Sequence, residues 1–259
     1  MRKFYQILKS LIFVGIIGLI IYFSISLQGY DDPTIEIIEL TGCYHLSEDQ
    51  YSKSSNLDDK ESYKQLTLRV VKDRIEKHPY VESAEVKFET TGKVLVTITE
   101  KMFDTILIID GKQFLITEKL QVIPVMLYTR GLDYPVIRNP HESSGIKALE
   151  VINKREHPDI LTACKVITSF KLINSELYEV LSELDLNSGM GISAYFSTFS
   201  YELKLGNEDV IRKVIYFNSW YERIKNNGLG EYLDYVDIRF ANHIFVGFPG
   251  EDQAWDEQI

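Results

Sequence analysis

The sequence predicts an α+β protein. It has a single N-terminal transmembrane helix, a small unit ordered strand–helix–helix–strand–strand, and a mainly antiparallel β domain with two helices. Three observations predict it. Residues 10–30, SLIFVGIIGLIIYFSISLQGY, carry no charge. Over the next seventy or so residues the apolar pattern passes from helical spacing to strict alternation. Beyond Thr105, short apolar runs recur between turn signals.

At about 1.5 Å per helical residue, the uncharged stretch is long enough for a hydrocarbon core of roughly 30 Å. Arg2, Lys3 and Lys9 precede it, and Asp31 and Asp32 follow it. The positive-inside bias holds residues 1–9 in the cytoplasm and sends the rest to the far side. A cleavable signal peptide is the alternative, with Ser24-Ile25-Ser26 as its small-x-small site. That stretch is longer than a usual signal core, and Ser-x-Ser is a poor form of Ala-x-Ala. We therefore expect a retained anchor over residues 10–30.

The body after the anchor holds 25 Lys and Arg against 38 Asp and Glu, a net charge of −13. That balance argues against binding nucleic acid or an anionic lipid surface. Hydrophobic residues at 45% and aromatics at 12% argue for a packed core and against disorder. Cys43 and Cys164 are the only cysteines. Export permits a disulfide between them, but the helical, apolar surroundings of Cys164 suit a buried free thiol.

Residues 34–40 (TIEIIEL) read as a strand, and residues 44–63 as a polar loop with one short helix after Ser47. A helix over 62–77 follows, with Leu66, Val70, Val71 and Ile75 on one side, stopped before Pro79. Ala84, Val86 and Phe88, then Val94, Val96 and Ile98, alternate on either side of Thr91-Gly92 as a hairpin. Asp110-Gly111 between two apolar runs predicts a second, two-residue hairpin. Residues 134–137 (YPVI) close that unit. A helix opens at His157-Pro158, with Ile160, Leu161, Cys164, Ile167 and Phe170 at helical spacing. Strands over 180–186, 191–197 and 200–205 follow. Then comes a helix carrying Val210, Val214, Phe217, Tyr221 and Ile224, with Asn207 as its cap and Glu208 and Asp209 at its positive end. The fold finishes on a hairpin, 235–240 and 243–248, turning near Ala241-Asn242. Residues 249–259 read as a flexible acidic tail.

Nothing in the chain points to chemistry. His45, His78, His141, His157 and His243 are scattered, and no zinc, phosphate-loop or nucleophile-elbow motif is present. Asp104 and Asp110, six apart on a strand pattern, could share a face as paired carboxylates, but they read as a solvated strand end and a turn residue. Asp237 and Arg239 read as a surface charge pair, and Trp220 and Tyr221 follow the helix pattern as core or half-exposed residues. We therefore expect no enzyme activity, catalytic residue, cofactor, metal or small-molecule substrate. The last strand is the best interaction candidate. Ile244, Phe245, Val246 and Phe248 form an uncharged apolar run with Pro249 only after it. Such a strand is either central and paired, or an exposed edge open to a partner strand.

These segments, in this order, resemble the FtsQ/DivIB family of bacterial cell-division proteins. IEIIELTGCYHLS (35–47) resembles the first strand of the family's POTRA domain, and 75–101 its helix end and following hairpin. IIDGKQFLI (108–116) and LDYPVI (132–137) resemble the start of its β domain. SYELKLGNEDVIRKVIYF (200–217) and YVDIRFANHIFVGF (235–248) resemble its closing strands and long helix. Residues 142–157 look inserted, and Lys101-Met102-Phe103 replaces the usual Arg and Ala. The resemblance implies a POTRA domain at 31–101, a β domain at 102–248, and a non-enzymatic scaffold in the inner membrane at the division septum. It implies FtsB- and FtsL-like coiled-coil proteins and the septal peptidoglycan synthase complex as partners. Their docking strand would fall on Arg239, Phe240, Ile244, Phe245, Val246, Gly247 and Phe248. Rival readings are a POTRA-bearing transport or assembly accessory in the periplasm, and a secreted periplasmic enzyme with a cleaved signal.

Overall fold

The computed structural model describes residues 2–27, 34–240 and 243–249. Helix α1 spans Arg2–Leu27. Side chains are described in it for residues 12–24, all exposed, among them Ile12, Phe13, Val14 and Phe23. Residues 28–30 of the uncharged stretch lie outside the described residues, as do the side chains of 10, 11 and 25–27. Among the described residues no helix is long and apolar enough to cross a membrane.

A three-stranded sheet comes first. Strand β1 (Ile37–Thr41) runs parallel to β3 (Lys93–Glu100), and β3 pairs antiparallel with β2 (Val81–Thr90), in the order β1-β3-β2. Gly42 ends β1 at φ +80°, and a Cβ there would come within 2.1 Å of the Ile98 carbonyl oxygen. Only glycine fits that crossing. Helix α2 (Glu48–Ser54) has a capping box: the Ser47 hydroxyl accepts from the Gln50 N–H at 3.3 Å, and the Gln50 side chain accepts from the Ser47 N–H at 2.9 Å.

The helix expected over 62–77 is shorter. Residues Lys60–Gln65 form a 3-10 turn capped by Asp59, Leu66 is extended, and α3 covers Leu68–Glu76. Thr67 resets the chain, its hydroxyl accepting the Val70 N–H at 3.3 Å. Val71 and Ile75, one turn apart, are the buried face of α3, while Val70 is exposed.

The second sheet has nine strands in the order β12-β11-β10-β9-β8-β7-β4-β5-β6. They are β4 (Phe103–Ile109), β5 (Lys112–Thr117), β6 (Val122–Pro124), β7 (Val136–Arg138), β8 (Leu181–Asp185), β9 (Ile192–Phe196), β10 (Glu202–Gly206), β11 (Tyr235–Asp237) and β12 (Phe245–Gly247). Pairing is mainly antiparallel, with three parallel contacts: β4 with β7, β7 with β8, and β10 with β11. The β4–β5 turn has φ 49° at Asp110 and 74° at Gly111, as the Asp-Gly pair requires. Residues 134–137 hold a central strand, β7, bonded on both sides. Within the stretch that looks inserted, Ile152 is buried and Val151 bridges Gln121.

Three helices accompany this sheet where two were expected. Helices α4 (Pro158–Ile173) and α6 (Val210–Ile224) pack on one face, where Ile160, Phe170, Val214 and Phe217 meet Leu107, Ile137, Leu184 and Val236. The short α5 (Ser175–Val180) was not anticipated; Asn174 caps it by accepting from the Leu177 N–H at 3.1 Å. Asn207 does not cap α6. The cap position falls to Asp209, left-handed at φ 50° and without a side-chain bond, and the Asn207 amide donates to the Gly189 carbonyl at 3.1 Å.

On the opposite face, β4–β6 pack against the first sheet. Ile106, Leu115 and Ile123 join Tyr80, Val96 and Ile98 in a second core that spans both sheets. Its polar centre is Glu100, which accepts from the Tyr51 hydroxyl at 2.7 Å and the Tyr44 N–H at 2.9 Å. Both cysteines are free thiols, with Cys43 pushed up to about 11 and Cys164 to about 12, chiefly by burial.

Candidate partner-docking edge

The site is built from the last two strands. Strand β11 is held inside by β10, with which it runs parallel, and its Val236 is buried in the sheet–helix core. Strand β12 pairs with it antiparallel, Tyr235 opposite Gly247, Val236 opposite Val246, and Asp237 opposite Phe245. Beyond β12 the nine-stranded sheet has no further strand among the described residues. Of the two alternatives read from the sequence, the structure gives the edge.

The seven residues expected to form the site gather there with different roles. Phe245 (49%), Val246 (36%) and Phe248 (42%) are exposed, as is Phe240 at 57%. Phe240 meets Phe245 edge-on at 5.6 Å, and the His243 ring stacks over Phe245 at 5.9 Å. Ile244 turns inward and packs against the core. Gly247 is buried, and a Cβ there would lie 2.1 Å from the Tyr235 ring, so this position lets the ring cross the strand. That ring in turn carries the Lys204 ammonium 4.3 Å above its centre. Ala241 and Asn242, where the hairpin was expected to turn, lie outside the described residues.

Arg239 and Asp237 form the expected charge pair, but Asp237 is buried rather than on the surface. Its carboxylate accepts from the Arg239 backbone N–H and Nε at 3.0 Å and from Nη2 at 2.6 Å. Burial pushes the Asp237 carboxyl up, yet the guanidinium and backbone bonds from Arg239 outweigh it and hold it below its ordinary value. The Arg239 head is thereby fixed at the strand end. Beside it lies a cavity of about 310 Å³ between Arg239, Phe240 and the α6 residues Arg212, Lys213 and Tyr216. Sequence reasoning missed these α6 residues. They read there only as the polar face of a helix, and the pocket exists because α6 folds back beside β11.

The arrangement offers an apolar, aromatic strand edge with a fixed cation at one end. It suits strand addition, in which main-chain bonds supply affinity and side chains supply selectivity. No group of three potential metal ligands occurs among the described residues. Asp104 pairs with Lys171 at 3.2 Å and Asp110 sits in its turn, so the two carboxylates do not meet.

Residues 34–101 match the POTRA domain, FtsQ-type, family. The chain is similar to the cell division protein FtsQ of Geobacter sp. (strain M21), 21% identical over 212 residues that cover 82% of this chain and 75% of that one. It is also similar to the cell division protein FtsQ of Geotalea daltonii (strain DSM 22248 / JCM 15807 / FRC-32), 25% identical over 190 residues, 70% of this chain and 63% of that one. The matched lengths reach far beyond the first sheet. The chain thus carries an FtsQ-type POTRA domain, and over 82% of its length it resembles an FtsQ cell division protein.

Proposed function

We propose that this protein is a non-enzymatic scaffold of the cell-division machinery, held in the inner membrane by residues 10–30, with a POTRA domain at 31–101 and a β domain at 102–248 outside. Strand β12 takes up a strand from a small division partner of the FtsB/FtsL kind, and this complex gathers the septal peptidoglycan synthase. The observation that carries the reading is β12 itself, an outermost strand with Phe245, Val246 and Phe248 exposed along it. An apolar edge of this kind invites aggregation unless something covers it. The uncharged residues 10–30 behind three cations support the anchor, and the exposed aliphatic side chains of 12–24 suit a lipid surround.

A charge at Phe245 faces outward and leaves the core intact. Phe245→Glu is expected to abolish capture of the FtsB-like protein while the body keeps its thermal transition. Normal capture by this variant overturns the edge assignment. Depletion in the native cell is expected to give filaments with unsplit septa, and normal division would sink the scaffold reading. The mature protein's mass is expected to include residues 1–26; their removal argues for a secreted protein.

A further inference from the structure

A second exposed apolar surface lies on the helical face, toward the β5–β6 end of the nine-stranded sheet. Between α4 and α6 runs an open groove of about 510 Å³. On α4, Leu161, Lys165, Thr168 and Leu172 follow one another at steps of four, three and four, so they share one stripe. Facing it on α6 are Ile211 and Ile215, one turn apart. Leu172 is 81% exposed, and Ile211 and Ile215 about half exposed, 53% and 49%. Single exposed aliphatic residues are ordinary, but here several border one groove. The floor is apolar enough that burial pushes the Cys164 thiol up to about 12.

Four charged residues line the groove: Asp104, Glu118, Lys154 and Lys165. Asp104 pairs with Lys171 at 3.2 Å. The exposed Lys154 and Lys165 have no ion pair among the described residues. With Asp104 matched by Lys171, the two lysines outweigh Glu118, which leaves a small positive excess at the groove in a body with a net charge of −13. The stripe from Leu161 to Leu172 is about 16 Å long at 1.5 Å per residue, which is three helical turns.

We propose that this groove is a docking site for an amphipathic helix of a partner protein, with apolar residues on one stripe and acidic residues beside it. The helix lies along α4 and α6, its apolar stripe against Leu161, Leu172, Ile211 and Ile215 and its carboxylates against Lys154 and Lys165. Packing a third helix between two neighbours is the ordinary helix-in-groove mode. The site is separate from β12, so its failure leaves the strand-edge reading untouched.

The test uses the full chain in nanodiscs of phosphatidylcholine, titrated with two labelled peptides and read by fluorescence anisotropy. Both are helical, about three to four turns long, with the same leucine stripe, one flanked by glutamate and the other by lysine. Saturable binding of the glutamate peptide is expected, about tenfold tighter than the lysine peptide, the size that two exposed ion pairs supply. Lys154→Glu with Lys165→Glu is expected to reverse the preference. Ile215→Asn is expected to remove binding of both while the thermal transition of the chain stays in place. Absence of saturable binding, equal affinity for the two peptides, or a preference that survives the double exchange overturns the proposal. So does sedimentation showing two copies per assembly that Ile215→Asn returns to one, because the groove's occupant is then a second copy of this chain.

Discussion

His78 shows how much a single position depends on its surroundings. In the sequence it is one of five scattered histidines before a proline. In the fold it is buried, with the Tyr51 ring at 4.7 Å and the Tyr80 ring at 5.5 Å. Its Nδ1 accepts the Tyr80 N–H at 3.2 Å, and its Nε2 is buried without a hydrogen-bond partner among the described residues. Burial drives its pKa down from 6.5 to about 4; Lys101 adds to this and Glu100 opposes it. The unfolded chain therefore binds a proton at higher pH than the folded one, and stability present above pH 6.5 is lost as pH falls toward 4. We expect urea midpoints to decline across that window, and His78→Gln to flatten the decline relative to the parent. An equally steep decline in the variant would assign the loss to carboxylates elsewhere. No pattern in the chain marks this residue as special, because Tyr51 of α2 and Glu100 of β3 are brought to its turn, beside Tyr80, only by the fold.

At the scale of elements, strand β12 rests on one small residue. Gly247 opposes Tyr235, and a methyl group there meets the ring at 2.1 Å. The ring must swing out from under Lys204 or the strand must lift. Gly247→Ala is expected to loosen the β11–β12 pairing by about 1 kcal/mol, read as faster amide exchange at Phe245, Val246 and Gly247 with α6 unchanged. Unchanged exchange would mean that the ring yields freely. The hairpins at Thr91-Gly92 and Asp110-Gly111 and the helices α4 and α6 were legible in the sequence because their periodicity is local. The short pieces were harder. Strand β6 is three residues, α5 is six, and the helix expected over 62–77 breaks at Leu66, where Thr67 recruits the chain into a new cap. Such segments take their form from neighbours across the sheet, and no run of their own residues is long enough to announce it.

Taken whole, the two sheets share a core. Ile106, Leu115 and Ile123 of the second sheet share a core with Tyr80 and Val96 of the first. The Tyr80 hydroxyl accepts the Met126 N–H at 2.9 Å and contacts the Thr129 hydroxyl at 2.8 Å. We expect a single calorimetric transition for the body, and Tyr80→Phe to lower its stability by about 1 kcal/mol by leaving the half-buried Met126 N–H unpaired. Two separated transitions would show the sheets to be independent. The sequence by itself determined the uncharged N-terminal stretch, the acidic balance, the α+β class, most hairpins and helices, and a last strand too apolar to lie in solvent without consequence. All of these are written in composition and in periods of two or three to four residues. Only the tertiary structure decided that β12 is outermost among the described strands, that β7 is central and parallel on both sides, that α6 brings Arg212 and Tyr216 beside Arg239, and that α4 and α6 leave a lysine-lined groove. Strand order and helix juxtaposition are relations between residues far apart in the chain. They are fixed by the burial of whole faces against one another, which no local pattern of side chains encodes.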